Sequence, residues 1–110
     1  MLFAARTTAL AAMAAVSFPA VALAQSAADR ELRAAESAIA AKRWDDALAA
    51  LERAYMVEKD PYFLYRRILV LEQMGEHALA LEVLRENRAT LLESDRVNDL
   101  VVVEERLQSA

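Results

Sequence analysis

Cysteine is missing from this chain of 110 residues, so an oxidising compartment would find nothing to cross-link. Glycine occurs once, as Gly75, which leaves no Gly-rich phosphate loop and no nucleophile elbow. Histidine also occurs once. His77 has no Cys and no acidic–His spacing around it, so it is read as a side chain that seals a helix hairpin, not as a ligand or a catalyst. Positive charge is the scarcer sign: 13 Lys and Arg stand against 17 Asp and Glu. An acidic surface without a basic stripe repels phosphate backbones and excludes nucleic acid as the expected partner. Carboxylates are plentiful but ordinary. Asp45-Asp46 and Glu104-Glu105 are sequence neighbours, about 100° apart on a helix. Glu82 and Glu86 share a face, with Arg85 between them and Arg88 following, as on a solvated charged surface. No zinc spacing or calcium loop appears, so no metal, cofactor or catalytic residue is assigned and the chain is read as a non-enzyme.

What is present begins with a leader. Met1 to Arg6 carries one positive charge, Thr7 to Ala24 carries none, and the stretch closes on the small residues Ala22-Leu23-Ala24. That order is that of a secretory signal peptide cleaved between Ala24 and Gln25. The competing reading, a membrane anchor, needs about 20 apolar residues. The Ala-rich composition, Pro19 and the cleavage pattern favour the signal. Gln25 in place of Cys closes the lipoprotein route, and a lone Arg6 argues against twin-Arg export. The expected organisation is therefore residues 1–24 as signal peptide and 25–110 as one helical domain with no membrane span. The mature part keeps 12 basic and 17 acidic residues, a formal charge of −5. Eleven of the 13 basic residues are Arg, and Ala is abundant, a bias that suits a GC-rich bacterial genome. Export then means the periplasm or secretion.

The mature part contains a repeat. Lys42-Arg43-Trp44-Asp45-Asp46-Ala47-Leu48-Ala49-Ala50-Leu51 returns 33 residues later as Gly75-Glu76-His77-Ala78-Leu79-Ala80-Leu81-Glu82-Val83-Leu84. A fixed period of about 34 residues is the mark of stacked helix pairs. Periodicity and punctuation give five helices. The first is expected over 27–41, capped by Ser26 with Asp29 completing a capping box, and with Leu32, Ala35 and Ile39 as its stripe. The second spans 44–58, with Trp44, Ala47, Leu48, Leu51, Ala54, Tyr55 and Val57 on its buried side. Asp60-Pro61 starts the third, which runs to Met74, because Asp caps well and proline is tolerated at the first helical position. Gly75 supplies the next turn, while Lys42 occupies the equivalent turn and should be looser or slightly strained there. The fourth helix is expected over 76–90. The fifth starts at Ser94 or Asp95 and ends near Gln108; its Leu100-Val101-Val102-Val103 run favours strand by propensity, but the flanking charges recur at helical spacing.

The repeat resembles the tetratricopeptide family, whose pattern is W-x2-L-G-x2-Y, then A-x3-F, then P. The second-helix part stands as Ala47-x3-Leu51 and Ala80-x3-Leu84, with Ala54 as a further small residue. The first-helix part is degraded: Leu64, Ile68 and Leu71 hold three of four positions and Arg67 takes the place of Leu. In the first repeat, Glu31, Ala34, Ala35 and Ala38 fill those places. The resemblance covers residues 28 to 93 and implies an all-α fold of antiparallel helix-hairpin repeats. About two hairpins would be followed by a C-terminal capping helix. Trp44, Ala47, Leu51, Ala54, Leu64, Ile68, Leu71, Gly75, Ala80 and Leu84 would form the repeat framework.

The resemblance further implies a concave groove lined by the first helix of each pair. It would show Asp29, Leu32, Glu36 and Ile39 from the first repeat, and Tyr62, Tyr65, Leu69, Glu72 and Gln73 from the second. Leu32 and Glu36 replace the Lys and Asn of the branch that clamps a C-terminal carboxylate, so that clamp is not expected. Tyr62, Tyr65 and Leu69 offer an aromatic, partly apolar surface of the kind that carries binding hot spots, unless both tyrosines pack on the preceding hairpin. The function this implies is binding of a protein or peptide partner in the cell envelope. The alternative is a self-associating structural protein, since two repeats are fewer than the three usually needed for stability and a homodimer would supply the rest.

Overall fold

The computed structural model describes the chain from Ala20 to Ala110. Six helices form in this span: α1 (Ala20–Ala40), α2 (Trp44–Val57), α3 (Pro61–Gln73), α4 (His77–Glu86), α5 (Arg88–Leu92) and α6 (Leu100–Ser109). No strand forms among the described residues, and Leu100–Val103 is helical. The first four helices pack in sequence, α1 on α2, α2 on α3 and α3 on α4. α6 then closes on α4.

The 33-residue period is visible in the packing. Ala35 and Ile68 are both fully buried, as are Ala47 and Ala80, and Leu51 and Leu84. Ala38 and Leu71 form another buried pair, and so do Ala50 and Val83. The two hairpins differ in what fills them. The first is built on alanine, with Ala28, Ala35 and Ala38 of α1 in one cluster with Ala47, Ala50, Leu51 and Ala54 of α2. Small side chains let two helix backbones approach closely. The second hairpin is filled by Leu64, Ile68 and Leu71 of α3 with Ala80, Val83 and Leu84 of α4, and Leu100, Val103 and Leu107 of α6 join the same cluster. The last helix thus buries the apolar flank that a further hairpin would otherwise cover.

The turns inside the hairpins repeat as well. Arg43 N–H reaches the Ala38 carbonyl at 2.8 Å and Lys42 N–H reaches Ile39 at 2.9 Å. Thirty-three residues on, Glu76 N–H reaches Leu71 at 2.9 Å and Gly75 N–H reaches Glu72 at 3.0 Å. Both are helix ends closed by a left-handed residue, Lys42 at φ 59° and Gly75 at φ 82°. The expected strain at Lys42 is therefore present, and the turn is as tight as its glycine twin. We expect Lys42→Gly to stabilise the fold by about 0.5–1 kcal/mol, because the left-handed penalty exceeds the extra freedom gained by the unfolded chain. Gly75→Ala should cost about 1 kcal/mol through backbone strain alone, since an added Cβ meets nothing within 4 Å. Urea unfolding of the two variants checks both signs.

α3 starts as expected. Asp60 Oδ1 accepts the Tyr62 N–H at 3.0 Å, and Pro61 takes the first helical position. Other boundaries differ from expectation. α1 begins by Ala20, so Ser26 is not a cap and the Ser26–Asp29 capping box does not form; Ser26 instead accepts a hydrogen bond from Arg30 within the helix. The run Ala20-Val21-Ala22-Leu23-Ala24 has high helix propensity and carries the helix through the capping signal. The bond between Ala24 and Gln25 lies inside this helix, while the leader before Ala20 lies outside the described residues. The fourth helix does not run unbroken to Thr90. Asn87 interrupts it, with φ −114° and its side-chain amide donating to the Val83 carbonyl at 2.8 Å. An Asn side chain competes in this way with the helical ladder. The last helix starts at Leu100, after a left-handed Asp99 (φ 56°), not at Ser94 or Asp95. Ser94 Oγ accepts the Arg96 N–H at 3.2 Å and so closes a turn without starting a helix.

Burial corrects part of the expected framework. Trp44 is only half-buried, and Val57, expected on the buried side of its helix, is exposed. Gly75 is an exposed turn residue. Leu48 and Tyr55 are half-buried against both clusters, and Ala50, unassigned from the pattern, is buried. His77 is half-buried, at the hairpin position equivalent to Trp44.

Candidate functional site: the face of α1 and α3

The side chains proposed from the resemblance lie on α1 and α3. Leu32 and Ile39 of α1 and Tyr62 of α3 are half-buried against the alanine-rich cluster. Tyr65 and Leu69 are half-buried against the second cluster. Glu36 and Gln73 are exposed. Glu36 and Tyr62 are joined by Arg66, whose Nη1 donates to Glu36 Oε2 at 3.2 Å and to the Tyr62 hydroxyl at 2.9 Å. Burial works against the charge on Arg66, but these bonds outweigh it and raise its pKa. Arg66 thereby ties the first helices of the two hairpins together across the face.

The tyrosines are also engaged by the segment that follows α5. The Arg96 guanidinium lies 4.0 Å from the centre of the Tyr62 ring, and its Nη1 donates to Asp60 Oδ2 at 3.0 Å. Asp60 thus caps α3 with one oxygen and holds Arg96 with the other. Tyr65 donates its hydroxyl hydrogen to the Asn98 carbonyl at 3.2 Å. The two rings stand 6.5 Å apart, tilted by 33°. Tyr62 and Tyr65 therefore rest on partners of their own chain and are each half-buried. Arg66, Arg96, Asp60 and Asn98 were not assigned to this face from the sequence. The i, i+4 spacing of Tyr62 and Arg66 is a local signal that could have found the first. The path of residues 93–99 has no such signal.

Further along α3, Glu72 takes two hydrogen bonds from Arg106 of α6, at 2.5 and 2.6 Å. These bonds hold the Glu72 carboxyl below its usual range, against a smaller opposing effect of burial, and nearby His77 adds to the lowering. A second carboxylate, Glu104 of α6, is lowered by hydrogen bonds from Arg88 and Arg85, again against burial. A depressed folded pKa stabilises the fold above the unfolded value of about 4.3, and that stability is lost as the pH falls through the lower folded value. Glu72→Gln should therefore flatten the acid limb of the stability curve below about pH 4.3 and cost no more than about 1 kcal/mol at pH 7, because Arg106 is half-exposed. Urea titrations between pH 2 and 7 on both proteins measure this.

No group of three or more His, Cys, Asp or Glu side chains that could hold a metal occurs among the described residues. No helix among them is long and apolar enough to cross a membrane. The face of α1 and α3 presents Tyr62 and Tyr65, an Arg66–Glu36 bridge, and the half-buried Leu32, Ile39 and Leu69. Compared with protein families, with characterised proteins and with solved structures, the chain shows no match.

Proposed function

We propose that this chain is a tetratricopeptide-like module that binds a protein partner along the face shared by α1 and α3, and that it works in the periplasm or outside the cell after loss of residues 1–24. The observation that carries this reading is the equivalence of the two hairpins, 33 residues apart in both buried positions and closing turns. Stacked hairpins of this kind form a surface, not a pocket, and the side chains on it suit recognition more than chemistry. Tyr62, Arg66 and Leu69 are the expected centre of contact, with Glu36 and Gln73 at the rim.

Site-specific photo-crosslinking in cells tests this. A photoreactive residue at Leu69 or Gln73 should give a discrete crosslinked product, and one at Leu79, exposed on α4, should not. Equal labelling from both places, or none from Leu69 and Gln73, would remove the case for this face.

A second reading has its own observation. Val101 and Val102 are 60% and 53% exposed on the closing helix, and Leu92 just before it is 65% exposed. An apolar end of this kind suits self-association. Sedimentation equilibrium of the mature chain separates the two: a dilute, folded monomer counts against the homodimer.

A further inference from the structure

A cavity of about 220 Å3 opens between α2 and α3, with Leu51, Tyr55, Phe63 and Leu64 among its walls. Two cations, Lys59 and Arg67, and one carboxylate, Glu52, also line it. Lys59 Nζ lies 5.2 Å from the centre of the Tyr55 ring. Arg67 is the unusual member. Three described cations are half-buried: Arg66, Arg67 and Arg88. Arg66 pairs with Glu36 and Arg88 with Glu104, but Arg67 has no ion pair among the described residues. Partial burial of a guanidinium without a counter-charge is unfavourable, and an anion brought to it recovers that loss.

We propose that this cavity binds a small monocarboxylate with an apolar body. Arg67 receives the carboxylate through its planar fork, Lys59 adds a second positive charge at the mouth, and the body rests on Tyr55, Phe63 and Leu64. The charge balance selects the class: two cations and Glu52 leave a local excess of one positive charge, which suits a monoanion and not a phosphate dianion. The size selects the body. The cavity is below the roughly 300 Å3 at which drug-sized ligands are held, so a medium-chain or arylalkyl acid fits and a long-chain fatty acid does not. This site shares no lining residue with the Tyr62–Arg66 face, and the proposal does not rest on that face.

Titration of isotope-labelled protein with octanoate or phenylpropionate, followed by amide chemical shifts, tests the assignment. Saturable shifts are expected at Tyr55, Lys59, Phe63 and Arg67, with millimolar affinity for so small a ligand. Arg67→Leu should weaken octanoate about tenfold and leave octanol unchanged, the loss belonging to one partly exposed charged contact. Arg67→Lys should recover part of the affinity, and inorganic phosphate should give no saturable shift at these residues. The spectra themselves report whether each variant is folded. Octanol binding as tightly as octanoate, unchanged octanoate binding by Arg67→Leu, saturable phosphate binding, or shifts confined to other residues would overturn the proposal.

Discussion

Replacing Ile68 with alanine should destabilise the protein by about 2–5 kcal/mol and lower its melting temperature by more than about 10 °C. Ile68 is fully buried in α3, in one cluster with Leu84 of α4, Leu91 of α5, and Leu100, Val103 and Leu107 of α6. Truncation removes three carbons where four helices meet. The cost therefore includes both lost transfer energy and an unfilled void. A domain this small has little stability in reserve, so the variant should be partly unfolded at 37 °C. Leu92, 65% exposed, is the control: Leu92→Ala should change stability by no more than about 0.5 kcal/mol. Chemical denaturation with an unchanged m-value reads the difference. A loss below about 1 kcal/mol for Ile68→Ala would mean that the C-terminal helices do not close on α3 as described.

Enlarging Ala47 should be nearly as damaging, for the opposite reason. Ala47 is fully buried where α1 and α2 approach through alanines, with Ala35 and Ala38 in the same cluster. A leucine there has to push α1 and α2 apart, because the cluster around it is built largely of buried alanines. We expect Ala47→Leu to cost about 3 kcal/mol, at the upper end for overpacking. Ala80→Leu should behave alike if the hairpins are equivalent. Ala49 lies two residues away and lines open surface grooves beside α2, so Ala49→Leu should fall within about 0.5 kcal/mol of the parent. Thermal melts of the three variants decide this, and indifference of Ala47→Leu would contradict the close approach of α1 and α2.

How much of this was legible in the sequence depended on whether the deciding interaction was local. The start of α3 was, because Asp60 and Pro61 act on the next two residues. So was the hairpin turn at Gly75, and the repeat marked Lys42 as a turn that should be looser or slightly strained, of which the strain is present and the looseness is not. The start of α1 was not, because a good capping sequence at Ser26 was outweighed by a longer run of helix-forming residues before it. The break at Asn87 had a local cause, its side chain bonding Val83, but nothing in the apolar period marked it. The late start of α6 depends on how residues 93–99 cross the face of α3, which is a tertiary matter. The same crossing decides the candidate site. The family resemblance placed Tyr62 and Tyr65 on one face, yet their partners Arg96 and Asn98 come from more than 30 residues away. Trp44 was misread for a related reason: aromatic character suggested the core, but α2 begins at that residue and leaves it at the hairpin edge.

The twin turns at Lys42 and Gly75 give the chain an interchangeable part. The block from Arg43 to Gly75 begins and ends at the same point of the motif, so a tandem copy of it would splice in without altering either junction. Such a copy fits upstream of α6, whose Leu100, Val103 and Leu107 occupy the flank on which a further hairpin would dock. The architecture is thus open to growth by internal duplication.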